Sequence, residues 1–168
     1  MARAAMTLFL VMLTSIASWA TGGTLAGSGT SSDPYVIVDA DDWGTFVNWI
    51  NNSNSTYASK YYKLGADITI SSMAGTKSGS STLIPFKGTF DGDGHTITLN
   101  DLTSDNEFCA PFRYVDGATF KRIHTTGTVI AGSDKSKDKY RTGLVGDCRG
   151  TTTITNCWSS VAITSKIN

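Results

Sequence analysis

Two carboxylates and an imidazole fall within five residues at Asp91-Gly92-Asp93-Gly94-His95. Such a set could hold Ca²⁺ or exchange protons. The run lacks the additional oxygen ligands and the distal Glu of an EF-hand loop. Asp and Gly are also the residues of a tight turn, where Asp accepts backbone N–H groups and Gly takes positive φ. A turn is therefore the expected role. A second imidazole, His124, follows Arg122 and Ile123 and reads as an exposed strand residue. Tyr57, Tyr61, Tyr62 and Trp158 could stack on sugar rings if exposed, whereas Trp43 and Trp49 are expected to be buried. Cys109, Cys148 and Cys157 form no Cys-x-x-Cys pair, and the two histidines complete no metal-ligand spacing. Three free, buried thiols are expected, with a disulfide between Cys148 and Cys157, which are close enough in sequence to meet, as the alternative. The residue types assign no catalytic, cofactor-binding or metal-binding position.

Composition narrows the class. The 168 residues carry 14 basic and 14 acidic side chains, a formal net charge of zero. A nucleic-acid or anionic-membrane partner would require a basic excess. Only 17% of residues are charged, and 17 glycines accompany many Ser and Thr. That balance suits an extracellular all-β protein better than a helical cytosolic enzyme.

The N-terminus has the form of a secretory signal. Arg3 supplies the positive start, Met6 to Ile16 an apolar run, and Ser18-Trp19-Ala20 the small residues of a cleavage site. The run is too short to span a bilayer, which takes ~20 apolar residues. Residues 1–20 are thus expected to be a signal peptide, leaving no membrane insertion after its removal. Residues 21–34, rich in Gly, Ser and Thr, read as a flexible linker.

The elements that must position any site begin at Tyr35. Tyr35 to Val38 reads as a strand. Trp43, Phe46, Val47 and Ile50 then fall at i, i+3, i+4 and i+7, one face of a helix over 41–51. Asp39 or Asp41 can cap its start, and Asn51-Asn52-Ser53 ends it. Beyond it the period becomes two: Ile68 and Ile70 flank Thr69, and Ile97 and Leu99 alternate with Thr96 and Thr98. Glycines punctuate these runs at 75, 79, 88, 92, 94, 117, 127, 132 and 150. The chain also repeats. Phe112 corresponds to Val145, Gly117 to Gly150, Phe120 to Ile154, Ile123 to Cys157 and Val129 to Ile163, steps of 33 to 34 residues. A period of that size marks a solenoid, in which stacked units bury a column of inward side chains that no single unit could bury. The helix is suited to cover the first coil. Residues 133–141, with four Lys and Arg, read as a solvated basic loop between coils.

The stretches 27–37 and 62–68, the turn Phe86 to Ile97, and Thr142-Gly143-Leu144-Val145-Gly146 followed by Ile154-Thr155-Asn156-Cys157 resemble bacterial surface β-helix proteins with GLUG-type repeats. The resemblance covers most of residues 27–164. It implies an all-β, right-handed parallel β-helix with a short N-terminal capping helix, in a secreted or cell-surface protein. On this reading residues 35–168 are the first coils of a longer β-helix. The expected function is a non-enzymatic, adhesin-like binding or scaffolding module, needing no cofactor. Its partner would be a glycan or a surface protein of the host or a neighbour. The alternative is the opening of a carbohydrate-active β-helix, a polysaccharide lyase or glycosidase. Hydrolysis would need two carboxylates ~5–9.5 Å apart over one groove. The sequence offers no Asn-Thr-Asp or Gly-His-Gly of the kind seen in pectin-cleaving β-helices.

Overall fold

A computed structural model describes residues 23–52, 54–79, 82–134 and 139–164. The expected signal peptide (residues 1–20) and the centre of the basic loop (Lys135 to Asp138) lie outside them. The described chain is mostly β, with parallel sheets and a short helix. Strand β1 (Tyr35–Ile37) leads into α1 (Ala40–Asn52) and a single turn, α2 (Asn54–Tyr57). Then follow β2 (Tyr61–Leu64), β3 (Ile68–Ile70), β4 (Thr76–Ser78), β5 (Thr82–Ile84), β6 (Thr89–Asp91) and β7 (Thr96–Leu102). After them come β8 (Phe108–Cys109), β9 (Phe112–Asp116), β10 (Thr119–Lys121) and β11 (His124–Val129). The last are β12 (Tyr140–Arg141), β13 (Val145–Arg149), β14 (Thr153–Thr155), β15 (Trp158–Ser159) and β16 (Ala162–Ile163).

One sheet runs β1-β2-β6-β10-β14 and a second runs β15-β11-β7-β3, with β16 also on β11. Both are parallel throughout. Strands β9 and β13 pair in parallel, as do β8 and β12. The repeat seen in the sequence is a register. Phe112 pairs with Val145, Phe120 with Ile154 and Val129 with Ile163. Earlier steps are shorter, as in Tyr35 with Tyr62, Tyr62 with Phe90, and Ile68 with Ile97. Register fixes strand positions while connections vary in length at small entropic cost. Between Val129 and Tyr140 the chain takes a longer path than between Leu102 and Phe108, and the step grows accordingly.

Side chains alternate across each strand, so one rank faces inward. In the first sheet that rank is Tyr62, Phe90 and Phe120, all essentially inaccessible. In the second it includes Ile68 and Ile97, then Ile70 and Leu99. The interior holds more aromatic side chains than a plain aliphatic column. Phe46, Tyr62, Phe86, Phe90 and Phe112 form a connected set of tilted and edge-on ring contacts. Helix α1 drives Trp43, Phe46 and Ile50 into this core, while Val47 stays at its margin. Asp39 caps the helix, its Oδ1 accepting the N–H groups of Asp41 and Asp42. Trp43 Nε1 donates to Ser72 O at 3.0 Å. Asn51 holds the segment beside Ser72, donating to Met73 O and accepting from Gly75 N.

Three expectations change. Residues 23–34 are not a loose linker. Leu25 is buried, Ala26 bridges Val36, Ser28 N and Thr30 N donate to Asp33 O, and Gly29 O accepts Tyr61 N. Second, β4 and β5 form an antiparallel hairpin that the pattern of the sequence did not announce. It interrupts a parallel course, since Ala74 bridges Phe112 and Phe86 bridges Val115. Third, the thiols are free, as the favoured reading had them, but they are not all buried. Cys109 is buried, Cys148 exposed and Cys157 half-buried. Cys148 lies on β13, whereas Cys157 follows β14 in another sheet.

Candidate functional site

The turn after β6 and the neighbouring starts of β7, β11 and β15 gather most of the polar candidates. Gly92 to His95 is a tight turn, closed by His95 N donating to Gly92 O at 2.8 Å. Asp93 and Gly94 both take positive φ, 51° and 87°. Asp91 Oδ1 accepts Asp93 N at 2.9 Å, the backbone role expected of an Asp in a turn.

The outward rank of the first sheet places Lys63, Asp91 and Lys121 side by side. Arg122 approaches Asp91 with two nitrogens, Nε at 3.0 Å and Nη2 at 2.7 Å, and its Nη2 also lies 2.9 Å from Asp93. Lys121 reaches Asp91 at 3.1 Å, and Lys63 reaches Asp93 at 3.9 Å. Burial alone would raise the Asp91 pKa. The hydrogen bonds from Arg122, from Asp93 N–H and from Lys121 outweigh it and hold the carboxyl below its ordinary value. Arg122 itself sits at φ 55°, a left-handed conformation that costs a non-glycine residue roughly 1–2 kcal/mol. Asp91 and Asp93 are thus consumed by protein cations. Among the described residues no group of three or more His, Cys, Asp and Glu could hold a metal ion.

The second sheet presents Asp67, Thr96, His124 and Trp158 as a continuous row. Asp67 Oδ1 accepts Thr96 N at 2.8 Å and lies 3.3 Å from His95 Nδ1. These contacts hold its carboxyl below the usual range, the Thr96 N–H contributing most. Thr96 pairs with His124, and His124 with Trp158. The His124 ring is hydrogen-bonded on both nitrogens, Nδ1 to Thr96 Oγ1 at 3.1 Å and Nε2 to Ser160 Oγ at 3.2 Å. It lies flat on Trp158, with centroids 3.3 Å apart and planes 11° from parallel. Trp158 is 61% exposed, the most open of the large apolar side chains among the described residues. A second outward row, Thr69, Thr98 and Thr126, runs beside this one. The surface therefore offers a fixed aromatic face bordered by hydroxyls, an imidazole and a carboxylate.

The other candidates separate. Tyr62 is buried and donates its hydroxyl to Tyr57 O at 2.8 Å. Tyr57 stacks on Trp49 at 4.1 Å, so Trp49 is half-buried rather than lost in the core. Tyr61 keeps 40% of its surface. The described parts of the basic loop are tethered: Asp105 accepts Ser133 N and Oγ, Lys139 faces Glu107, and Arg141 donates to Ser104 O and Asn106 O. Sequence reasoning missed Asp67. The signal for it was the 29-residue step from Ile68 to Ile97, which sets Asp67 beside Thr96.

No helix of the described residues is long and apolar enough to cross a membrane. No family model matches the chain, and no solved structure does. Among curated proteins, halomucin of Haloquadratum walsbyi is 34% identical over 87 residues, covering 45% of this chain. The chain spans about 1% of halomucin's length, and the similarity is a partial one between a short chain and a very long protein.

Proposed function

We propose that this protein is a non-enzymatic binding module of the secreted or cell-surface kind, a right-handed parallel β-helix whose exposed aromatic face engages glycans. The observation that carries it is Trp158, largely exposed yet immobilised against His124, which Thr96 and Ser160 fix in turn. A rigid indole face matches the apolar face of a sugar ring, and flanking hydroxyls match its rim. Pre-ordering that face lowers the entropic cost of binding. The fold part of the proposal rests on parallel strands stacked in register at long, similar sequence steps, with α1 seated on the aromatic interior as a cap. The right hand follows from the general preference of parallel crossovers. The GLUG-type resemblance, the signal-like N-terminus and the partial likeness to a protein named halomucin all favour the exported reading.

The carboxylates argue for binding over hydrolysis. A glycosidase needs one carboxyl with a raised pKa as general acid. Asp67 and Asp91 on this surface are both held low. Asp42, raised by burial, accepts Val38 N at the start of α1 and lies outside the row. A glycan array probed with the wild-type chain and with Trp158→Ala tests the proposal. Wild-type binding to a subset of glycans, lost in the variant without change in Tm, is expected. An array equally bound, or equally unbound, by the two proteins overturns it.

A further inference from the structure

We propose that Arg113, with Lys77, forms an anion-binding subsite that takes the carboxylate or sulfate group of an acidic glycan. Arg113 is the second residue of β9, half-buried. Its Nε is fully enclosed and has no hydrogen-bond partner. Its Nη2 finds only the thioether of Met73, at 3.8 Å, a weak acceptor. No carboxylate among the described residues pairs with it. The contrast with its neighbours is plain, since Lys87 has Asp116, Lys121 and Arg122 have Asp91, and Arg149 has Asp147.

A guanidinium that is half out of water and unpaired is costly, and such a group in a folded protein calls for an explanation. Burial presses its pKa downward, which expresses the same cost. Lys77 adds a second cation against Tyr114, the next residue of β9. The β4–β5 hairpin sets its Nζ over the ring of Tyr114, 5.4 Å from the centroid, and it too has no carboxylate partner among the described residues. The carboxylate in register with Tyr114, that of Asp147, is engaged by Arg149, which leaves Lys77 and Arg113 without one of their own among the described residues. Tyr114 continues outward through Phe108 to Tyr140, which stacks on Phe108 at 4.8 Å and is 50% exposed. A planar guanidinium fork fits an oxyanion with two N–H donors. Tyr140, exposed and joined to Tyr114 through Phe108, fits a sugar ring. Together they select a sugar that carries its own negative charge. The subsite belongs to β9, away from the Trp158 row, and borrows from the proposed function only the expectation that the anion's carrier is a glycan.

Calorimetric titration at low salt tests this with four probes: sodium sulfate, an oligogalacturonate, a heparin-derived oligosaccharide and a neutral oligosaccharide of equal length. Wild-type protein is expected to bind one or both acidic oligosaccharides in preference to the neutral one. Arg113→Met keeps the packed stem and removes the charge. It should weaken that binding about tenfold to a hundredfold, the worth of a lost charged hydrogen bond or two. Lys77→Ala should weaken it less, Arg113→Lys should restore part of it, and Trp158→Ala should leave it in place. Preference for the oligogalacturonate identifies a carboxylate as the anion, and preference for the heparin fragment identifies a sulfate. Sulfate alone should compete with either. Equal affinity of wild type and Arg113→Met for every probe overturns the proposal, as does equal binding of acidic and neutral sugars. Acidic-glycan binding lost in Trp158→Ala and kept in Arg113→Met would overturn this subsite while supporting the Trp158 face.

Discussion

Asp91 shows how a residue that could do chemistry is turned to holding strands together. Its carboxylate binds the next turn through Arg122 and Lys121 and its own turn through Asp93 N–H. Its folded pKa is depressed below 3.8. A group depressed in the folded state contributes stability that is fully present above its unfolded pKa and is lost as pH falls through the folded value. Wild-type stability should therefore drop as the pH goes below about 4. The drop should be shallower in Asp91→Asn, which has no such charge to lose. Urea unfolding from pH 2.5 to 6 reads this directly, and parallel profiles for the two proteins would remove Asp91 from the account. The turn itself was legible, because Asp-Gly-Asp-Gly states its backbone needs locally. Its partner was not, since Arg122 lies 31 residues on and nothing in an arginine announces a left-handed φ.

At the scale of elements, legibility followed local period. Helix α1 was readable because its apolar positions repeat at 3.6 residues and Asp39 caps it, and it ends within a residue of the expected bounds. The β4–β5 hairpin was not. Thr76-Lys77-Ser78 has no apolar face, and its strands are stabilised by leaning on β9 rather than by their own alternation. The same reasoning explains residues 23–34, whose composition resembles a linker while long-range bonds to β1 and Tyr61 hold it in place. The helix carries a quantitative expectation. Phe46 is fully buried against Tyr62, Phe86, Phe90 and Phe112. Phe46→Ala should cost about 3–5 kcal/mol. Val47→Ala, at the margin of the same face, should cost clearly less. Denaturant titration of the two variants checks it, and equal losses would mean that α1 does not seat as a lid on the aromatic interior.

Across the whole molecule, the repeat was readable only where its step stayed constant. The last step of 33 to 34 residues aligns by eye, but the earlier steps of 27 to 30 residues and the inserted hairpin hide the same register. Once strands are aligned in this way, each one is stabilised mainly by the strands on either side. In the solenoid proposed above, stability is a sum of neighbour terms rather than one indivisible quantity. Strands β6, β7, β10 and β11 have partners on both sides, whereas β14, β15 and β16 have one each among the described residues. Ile154, Trp158 and Ile163 on those three strands are each at least half exposed, so they add little burial to offset the loss. Local opening there should need less free energy than global unfolding. The amides of Thr153, Trp158 and Thr164, which donate to Ala118, Ile123 and Val129, should exchange with solvent faster than those of Phe86 and Thr119. A difference of about 1.4 kcal/mol between the two groups would appear as a tenfold difference in rate. Native-state hydrogen exchange measures both groups in one experiment. A graded profile that rises from β14–β16 toward β6 and β7 is expected of strands stacked by neighbour contacts. Uniform protection across all five amides would mean one cooperative core, and the solenoid description would then fail as an account of its energetics.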